Sequence, residues 1–317
     1  MQNSLDSRTI MQSGVPAIPR EKARPKAAEK RKAFQKAIFP YLLLLPACTC
    51  FFTFTFFPFF RTVLLSFFLT DNVGNAKAFR GLKNYILFFT SADYQQIIRN
   101  TFVFAAVVIA ASMIIGFVTA NLANEKGRAF RIFPPLFALP IAAAGGTFSL
   151  LFQKIFDPTM GIVNKLFHLN NMWFSDPHLA LFTVAGITVW MMSGSNFLYL
   201  YAGLKGIPKE LIESAEIDGA GGLVKLFAIV VPCLSPMLFF VLITDIIAAF
   251  QSFTQIQIIT QGGPGIATDV IVYSIYRDAF FNFRFGSAAA QSVVLFVIVL
   301  VITLIQFSNE KRMVHYQ

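Results

Sequence analysis

The stretch Gly206-Ile207-Pro208-Lys209-Glu210-Leu211-Ile212-Glu213-Ser214-Ala215-Glu216-Ile217-Asp218-Gly219-Ala220 lies between two long apolar segments, residues 179–204 and 226–250. Pro208 suits the first turn of a helix, where its missing N–H has no intrahelical partner to lose. Lys209 to Ile217 form helix well, and Gly219 permits the break on which helices stop. Phe227, Pro232 and the pair Ser235-Pro236 then lead into the next apolar segment. These residues predict a short helix lying across one face of a membrane, tethered at both ends by spanning helices. An element so held can carry a push from a soluble partner into the membrane.

Outward from this loop, six apolar stretches recur: residues 38–60, 102–122, 133–152, 179–204, 226–250 and 288–307. Each is near the roughly 20 residues that cross a bilayer as a helix. Backbone polar groups in lipid must satisfy one another within the segment, so these stretches are helical. Composition agrees: 56% of the chain is hydrophobic and only 13% charged, with 38 Phe, whereas soluble domains carry about 25% charged residues. The expected class is an all-α membrane protein with six transmembrane helices. Several spans carry breakers, among them Pro46, Pro58, Pro134, Pro135, Pro140 and Gly145-Gly146, which spanning helices tolerate where neighbours or a cavity surround them.

The formal net charge is +10, and 17 of the 26 Lys and Arg fall in the tail and the loops on one side. That side holds the tail, Lys126, Arg128, Arg131, Lys205, Lys209, Lys225, Lys311 and Arg312. Clustering beside apolar runs is a membrane orientation signal rather than a nucleic-acid stripe, and it sets both termini in the cytoplasm. Residues 1–36 are expected to form a flexible basic tail with no cleaved signal peptide. Residues 37–309 are expected to form the six-helix transmembrane domain, with the loop at 205–225, and 310–317 a cytoplasmic end. The opposite loops, about 70–101, 156–178 and 261–287, contain turn formers such as Asp157-Pro158 and Gly262-Gly263-Pro264. Cys48, Cys50 and Cys233 lie within or beside apolar runs, which argues against a disulfide framework or a zinc site.

The loop resembles the "EAA" loop of binding-protein-dependent ABC importer permeases, roughly E-A-A-x-x-D-G-A with F and P at set distances. Here it reads Glu213-Ser214-Ala215, Asp218-Gly219-Ala220, Phe227 and Pro232, with Ser214 in place of the first Ala. Further matches run along most of the chain: Gly81-Leu82-Lys83-Asn84-Tyr85, Arg99-Asn100-Thr101, Leu139-Pro140, Trp190, Ala202-Gly203-Leu204, Thr260-Gln261-Gly262-Gly263-Pro264, Tyr276-Arg277-Asp278-Ala279-Phe280, Gln291-Ser292-Val293-Val294-Leu295 and His315-Tyr316-Gln317. The set is similar to the carbohydrate-uptake branch, and within it to the permeases of sn-glycerol-3-phosphate systems. The resemblance implies a type I ABC importer permease fold with a cytoplasmic coupling helix, in a bacterial or archaeal cytoplasmic membrane. It implies as partners a second homologous permease, two cytoplasmic ABC ATPase subunits, an extracytoplasmic solute-binding protein and membrane lipid, but no nucleic acid. ATP and Mg would be bound by the ATPase, with no cofactor in this chain. Glu213, Ser214, Ala215, Asp218, Gly219 and Ala220 are the implied coupling positions, Glu213 offering a carboxylate to a basic group on the ATPase.

Asp245 falls inside the fifth apolar run, where an ionised side chain costs several kcal/mol unless it meets a cavity or a partner. Three roles fit it: an acceptor for a sugar hydroxyl, a partner for the companion permease, or a protonated buried group. By resemblance to the maltose permease, the solute pathway passes Thr188, Met191, Met192, Ser195, Asp245 and Ala249. Ser193, Gly194, Ser195 and Asn196 form a second polar patch, of the small residues that let helices approach closely. The spans carry almost no Lys or Arg, which favours a neutral sugar over an organic phosphate.

The segment Gly219-Ala220-Gly221-Gly222-Leu223-Val224-Lys225 lacks P-loop spacing, and His168, His178 and His315 are scattered. No catalytic or metal constellation is expected, and the energy source must be another chain. A gradient-driven secondary transporter is the alternative, although internal symmetry of the kind such proteins show is not visible.

Overall fold

The computed structural model describes residues 26–124, 132–142 and 145–313. The tail up to residue 25, the basic residues Lys126, Arg128 and Arg131, and the closing His315-Tyr316-Gln317 lie outside the described residues. The chain divides after Phe59 into two units, taken here in turn.

The first unit contains helix α1 (Lys26–Phe51) and a π-helical turn at Phe52–Phe56, and it ends inside α2 (Phe57–Leu65). In that turn the N–H of Phe57 bonds to the carbonyl of Phe52. The cause lies in Pro58, which has no N–H for the usual bond and crowds the preceding turn, so the helix widens there.

In the second unit, strands β1 (Phe68–Thr70) and β2 (Ala76–Phe79) form an antiparallel hairpin. Short α3 (Lys83–Thr90) leads to the 33-residue α4 (Ala92–Asn124). Then come α5 (Phe133–Ala138), a 3-10 turn at Leu139–Ala142, α6 (Gly145–Ile155), α7 (Ile162–Phe167) and α8 (Ala180–Lys205). The loop helix α9 (Lys209–Ile217) and one-turn α10 (Gly222–Lys225) precede a π turn at Leu226–Val230 and then α11 (Val231–Phe250). Short α12 (Thr254–Ile259) and α13 (Ile271–Tyr276), with a third π turn at Arg277–Phe281, connect to α14 (Phe285–Met313). The π turn before α11 has the same origin as the one before Pro58, since Pro232 stands at the matching offset.

Among the described residues five helical stretches are long and apolar enough to span a membrane: Phe39–Leu65, Ala92–Asn124, Ala180–Lys205, Gly222–Ile259 and Phe285–Lys311. The pair Phe133–Ala142 and Gly145–Ile155 passes the same test together but is bent by 104°, the geometry of a broken span or a re-entrant loop. The sequence predicts a single helix over 133–152; it breaks because Pro140 and the Gly145-Gly146 pair sit inside it. The opposite loops are more ordered than their turn formers suggest, carrying most of the hairpin and helices α3, α7 and α13.

Two cores organise this unit. One gathers Ile97, Phe104, Val108, Val184, Ile256 and Ile271 at the end away from the loop helix; the other gathers Ala120, Phe197, Leu200, Leu204, Leu234 and Val241 beside it. Helix α4 packs along α8. The contact is close because Gly116 has no side chain: a Cβ there would stand 2.6 Å from Asn196 Cβ.

Candidate functional site

Helix α9 is anchored on one side only. Ile207 and Ile212 join the core beside it and Ala215 is buried, whereas Glu213, Ser214, Asp218 and Gly219 are exposed. Ile217, at the end of the helix, is 87% exposed, an apolar side chain left open beside two exposed carboxylates.

The end of α9 is fixed by backbone geometry. Ala220 N–H bonds to Ala215 O at 2.9 Å and Gly219 N–H to Glu216 O at 3.2 Å, with Gly219 at φ +76°. This is a Schellman stop, whose left-handed residue glycine fills without steric cost. Lys225 Nζ donates to Glu216 Oε1 at 2.9 Å, tying α10 back to α9. Because the carboxylate is half exposed, this ion pair contributes little stability. Of the six loop positions expected from sequence, five line the open face or the stop, and Ala215 faces inward.

The residues expected along a solute pathway divide. Thr188, Asp245 and Ala249 are buried, and Met191, Met192 and Ser195 are partly accessible. Thr188 Oγ1 spends its donor on Val184 O at 2.9 Å, one turn back. Asp245 Oδ2 accepts from Asn196 Nδ2 at 2.6 Å and from Ser112 Oγ at 3.0 Å, linking α11, α8 and α4. Asn196 was legible only as part of a small polar patch, and Ser112 carried no signal beyond a hydroxyl in an apolar run. Met191 Sδ meets Gln255 Nε2 at 3.6 Å, so the partly accessible residues of α8 continue to the polar side chains beyond α11.

At the end away from α9, two motifs that are separate in sequence meet in space. Asn100 Nδ2 donates to Ile266 O and Asp269 O at 2.9 and 3.1 Å, and Ile271 N–H donates to Thr101 Oγ1 at 2.9 Å. The Arg99-Asn100-Thr101 stretch thus clasps the loop that follows Gly262-Gly263-Pro264. Nearby, buried Asp278 accepts hydrogen bonds from Tyr94 Oη at 2.6 Å, Gln291 Nε2 at 2.7 Å, Asn282 Nδ2 at 2.8 Å and Ser287 Oγ at 2.9 Å. Sequence reading missed this cluster; its signal was Gln291 inside an apolar run. Asp269, fully buried, forms an ion pair with Arg277, although neither carboxylate oxygen has hydrogen-bond geometry. Burial pushes its carboxyl up to about 7 and outweighs the opposing pull of Arg277. Among the described residues no cluster of His, Cys, Asp or Glu could hold a metal ion.

The sequence profile described as "Binding-protein-dependent transport system inner membrane component" matches residues 127–315. The chain is 34% identical over 287 residues to the sn-glycerol-3-phosphate transport system permease protein UgpA of Agrobacterium fabrum, covering 89% of this chain and 98% of that protein. It is 35% identical over 291 residues to UgpA of Yersinia pestis bv. Antiqua, covering 90% and 99%. Among solved structures it is similar to a chain of a bacterial ABC transporter involved in the import of the acidic polysaccharide alginate, with TM-score 0.79, 20% identity and coverage of 90% and 100%. A second alginate transporter structure, in complex with an alginate pentasaccharide-bound periplasmic protein, gives TM-score 0.78 at 21% identity, covering 89% and 96%. These two establish the fold, and no finding favours a gradient-driven carrier. The chain therefore belongs to the binding-protein-dependent transport system inner membrane components, as a permease subunit of an ABC importer.

Proposed function

We propose that this chain pairs with a second homologous permease and two cytoplasmic ATPase subunits, and that α9 is the coupling helix. The single observation that carries the reading is the build of α9: anchored to the membrane core by Ile207, Ile212 and Ala215, stopped at Gly219, and open at Glu213, Ile217 and Asp218. Force applied there reaches α8 and α11 directly, because α9 is their connection. ATP and Mg are bound by the ATPase, and both termini lie in the cytoplasm with α9. A solute-loaded extracytoplasmic binding protein docks on the opposite face. Closure of the ATPase dimer, transmitted through α9, switches the spans from inward to outward facing so that the solute enters the pathway, and reopening delivers it inside.

The carried solute is sn-glycerol 3-phosphate, the reading favoured by the names of the relatives. A neutral sugar is the second reading, favoured by α11, which has a buried carboxylate and no cation along its length. Uptake of each labelled solute into proteoliposomes holding the purified assembly and its binding protein separates the two. ATP-dependent accumulation of glycerol phosphate supports the first, and accumulation of a sugar alone replaces it with the second.

A further inference from the structure

A cavity of about 440 Å³ opens between the β1–β2 hairpin and the start of α14. Its lining includes Arg80 and Arg284, the donor Asn72, and the apolar side chains Leu69, Leu87 and Phe283. Among the described residues neither arginine pairs with a carboxylate. The acids closest in sequence are already engaged: Asp71 accepts from the backbone of Val73 and Asn75, and Asp278 from its four donors. Two arginines therefore line one opening, and neither is held there in an ion pair.

The level of the cavity is set by the spans. One membrane helix ends at Leu65, just before the hairpin, and another begins at Phe285, beside Arg284. The cavity thus stands at the boundary between hydrocarbon and water, where cationic side chains meet lipid headgroups. Leu69, Leu87 and Phe283 are 42, 45 and 50% exposed and give the opening an apolar side. The walls are preformed: Asn84 Nδ2 donates to Ser66 O and Phe68 O at 2.8 and 3.1 Å, and Gly286 N–H to Thr70 Oγ1 at 3.1 Å. Gly286 packs so closely against β1 that a Cβ would stand 2.2 Å from Phe68 O.

We infer that this cavity binds the phosphate of an anionic phospholipid between Arg80 and Arg284, with the acyl chains against Leu69, Leu87 and Phe283. Paired guanidinium groups suit phosphate oxygens better than lysines do, since each presents a planar fork of donors. The lipid pins the hairpin to the start of α14 at the membrane surface. The inference goes beyond the transport function and does not depend on which solute is carried.

The test is photo-crosslinking of the full chain with its partner subunits, in phosphatidylcholine nanodiscs doped with a photoactivatable phosphatidylglycerol. Labelled peptides are expected to cover residues 68–87 or 282–287. Labelling is expected to fall about thirtyfold in Arg80→Gln/Arg284→Gln, as removal of two charges from an anionic surface site predicts. Arg80→Lys/Arg284→Lys keeps part of it. Basal ATP hydrolysis and monodisperse elution report that the variants assemble. Equal labelling in an assembled Gln variant, or wild-type labels mapping only elsewhere, would overturn the inference. Loss of labelling on addition of excess soluble glycerol 3-phosphate would instead make this a site for a soluble phosphate ester and overturn the lipid reading.

Discussion

Asn196 on α8 donates to the carboxylate of Asp245 on α11 at 2.6 Å, inside the membrane-spanning part of the protein. These are the two helices that flank α9 in the chain, so the bond joins the arms of the loop well above it. Ser112 adds α4 to the same carboxylate at 3.0 Å.

Replacement of Asp245 by Ala is expected to leave Asn196 and Ser112 without their shared acceptor. Interhelical hydrogen bonds in membranes contribute about 0.6 kcal/mol each and at most about 1.7. Asp245→Ala should therefore lower assembly stability by about 1–2 kcal/mol in a detergent melt. Asp245→Asn, which retains an acceptor oxygen, should cost less. Equal melting of both variants and the wild type would show that the bonds carry no stability.

Gly116 and Gly186 offer a matched comparison. A methyl at Gly116 would meet Asn196 Cβ at 2.6 Å and force α4 and α8 apart, whereas at Gly186 nothing lies within 4 Å. Gly116→Ala should destabilise the chain by about 1–3 kcal/mol, the usual cost of overpacking. Gly186→Ala should be neutral or stabilise by up to about 1 kcal/mol through helix propensity. Thermal melts of the two purified variants check the signs.

Asp269 gives a pH dependence with a definite direction. Its carboxyl stands at about 7 in the folded chain against an ordinary 3.8, through burial that Arg277 only partly offsets and that neighbouring Asp278 reinforces. The folded state therefore holds a proton that the unfolded state has released between those values. Stability falls as pH rises through this window and levels above about 7. Amide hydrogen exchange over 266–277, with intrinsic rates corrected for pH, should show protection decreasing from pH 5 to pH 8. Asp269→Asn should flatten that dependence.

The spans and the loop helix were legible in the sequence because their signals are local. Apolar run length identifies a membrane helix, and the run from Pro208 to Gly219 contains both ends of α9. Boundaries were less legible. Helix α4 starts at Ala92, ten residues before its apolar run at Phe102, because the polar first turns around Gln95 and Gln96 are helical without being hydrophobic. The break in the third span could be suspected from Pro140 but its 104° bend could not be read. Site partners were least legible, since Ser112 and Asp245 are 133 residues apart and the Asp278 cluster reaches back 184 residues to Tyr94. A buried carboxylate announces that it needs donors, but the chain does not say which helix brings them.

The central claim is that α9 transmits the ATPase cycle, and its most direct test is solute uptake by proteoliposomes reconstituted with Gly219→Pro. Proline fixes φ near −65°, against +76° observed, and removes the N–H bonded to Glu216 O. The substitution thus undoes the stop of α9 while leaving every span intact. Loss of a coupling free energy of about 1–3 kcal/mol corresponds to roughly 5–150-fold. We predict that the variant inserts and assembles, and that ATP-dependent uptake falls by at least about fivefold. Uptake at the wild-type rate from an assembled Gly219→Pro variant would contradict the account.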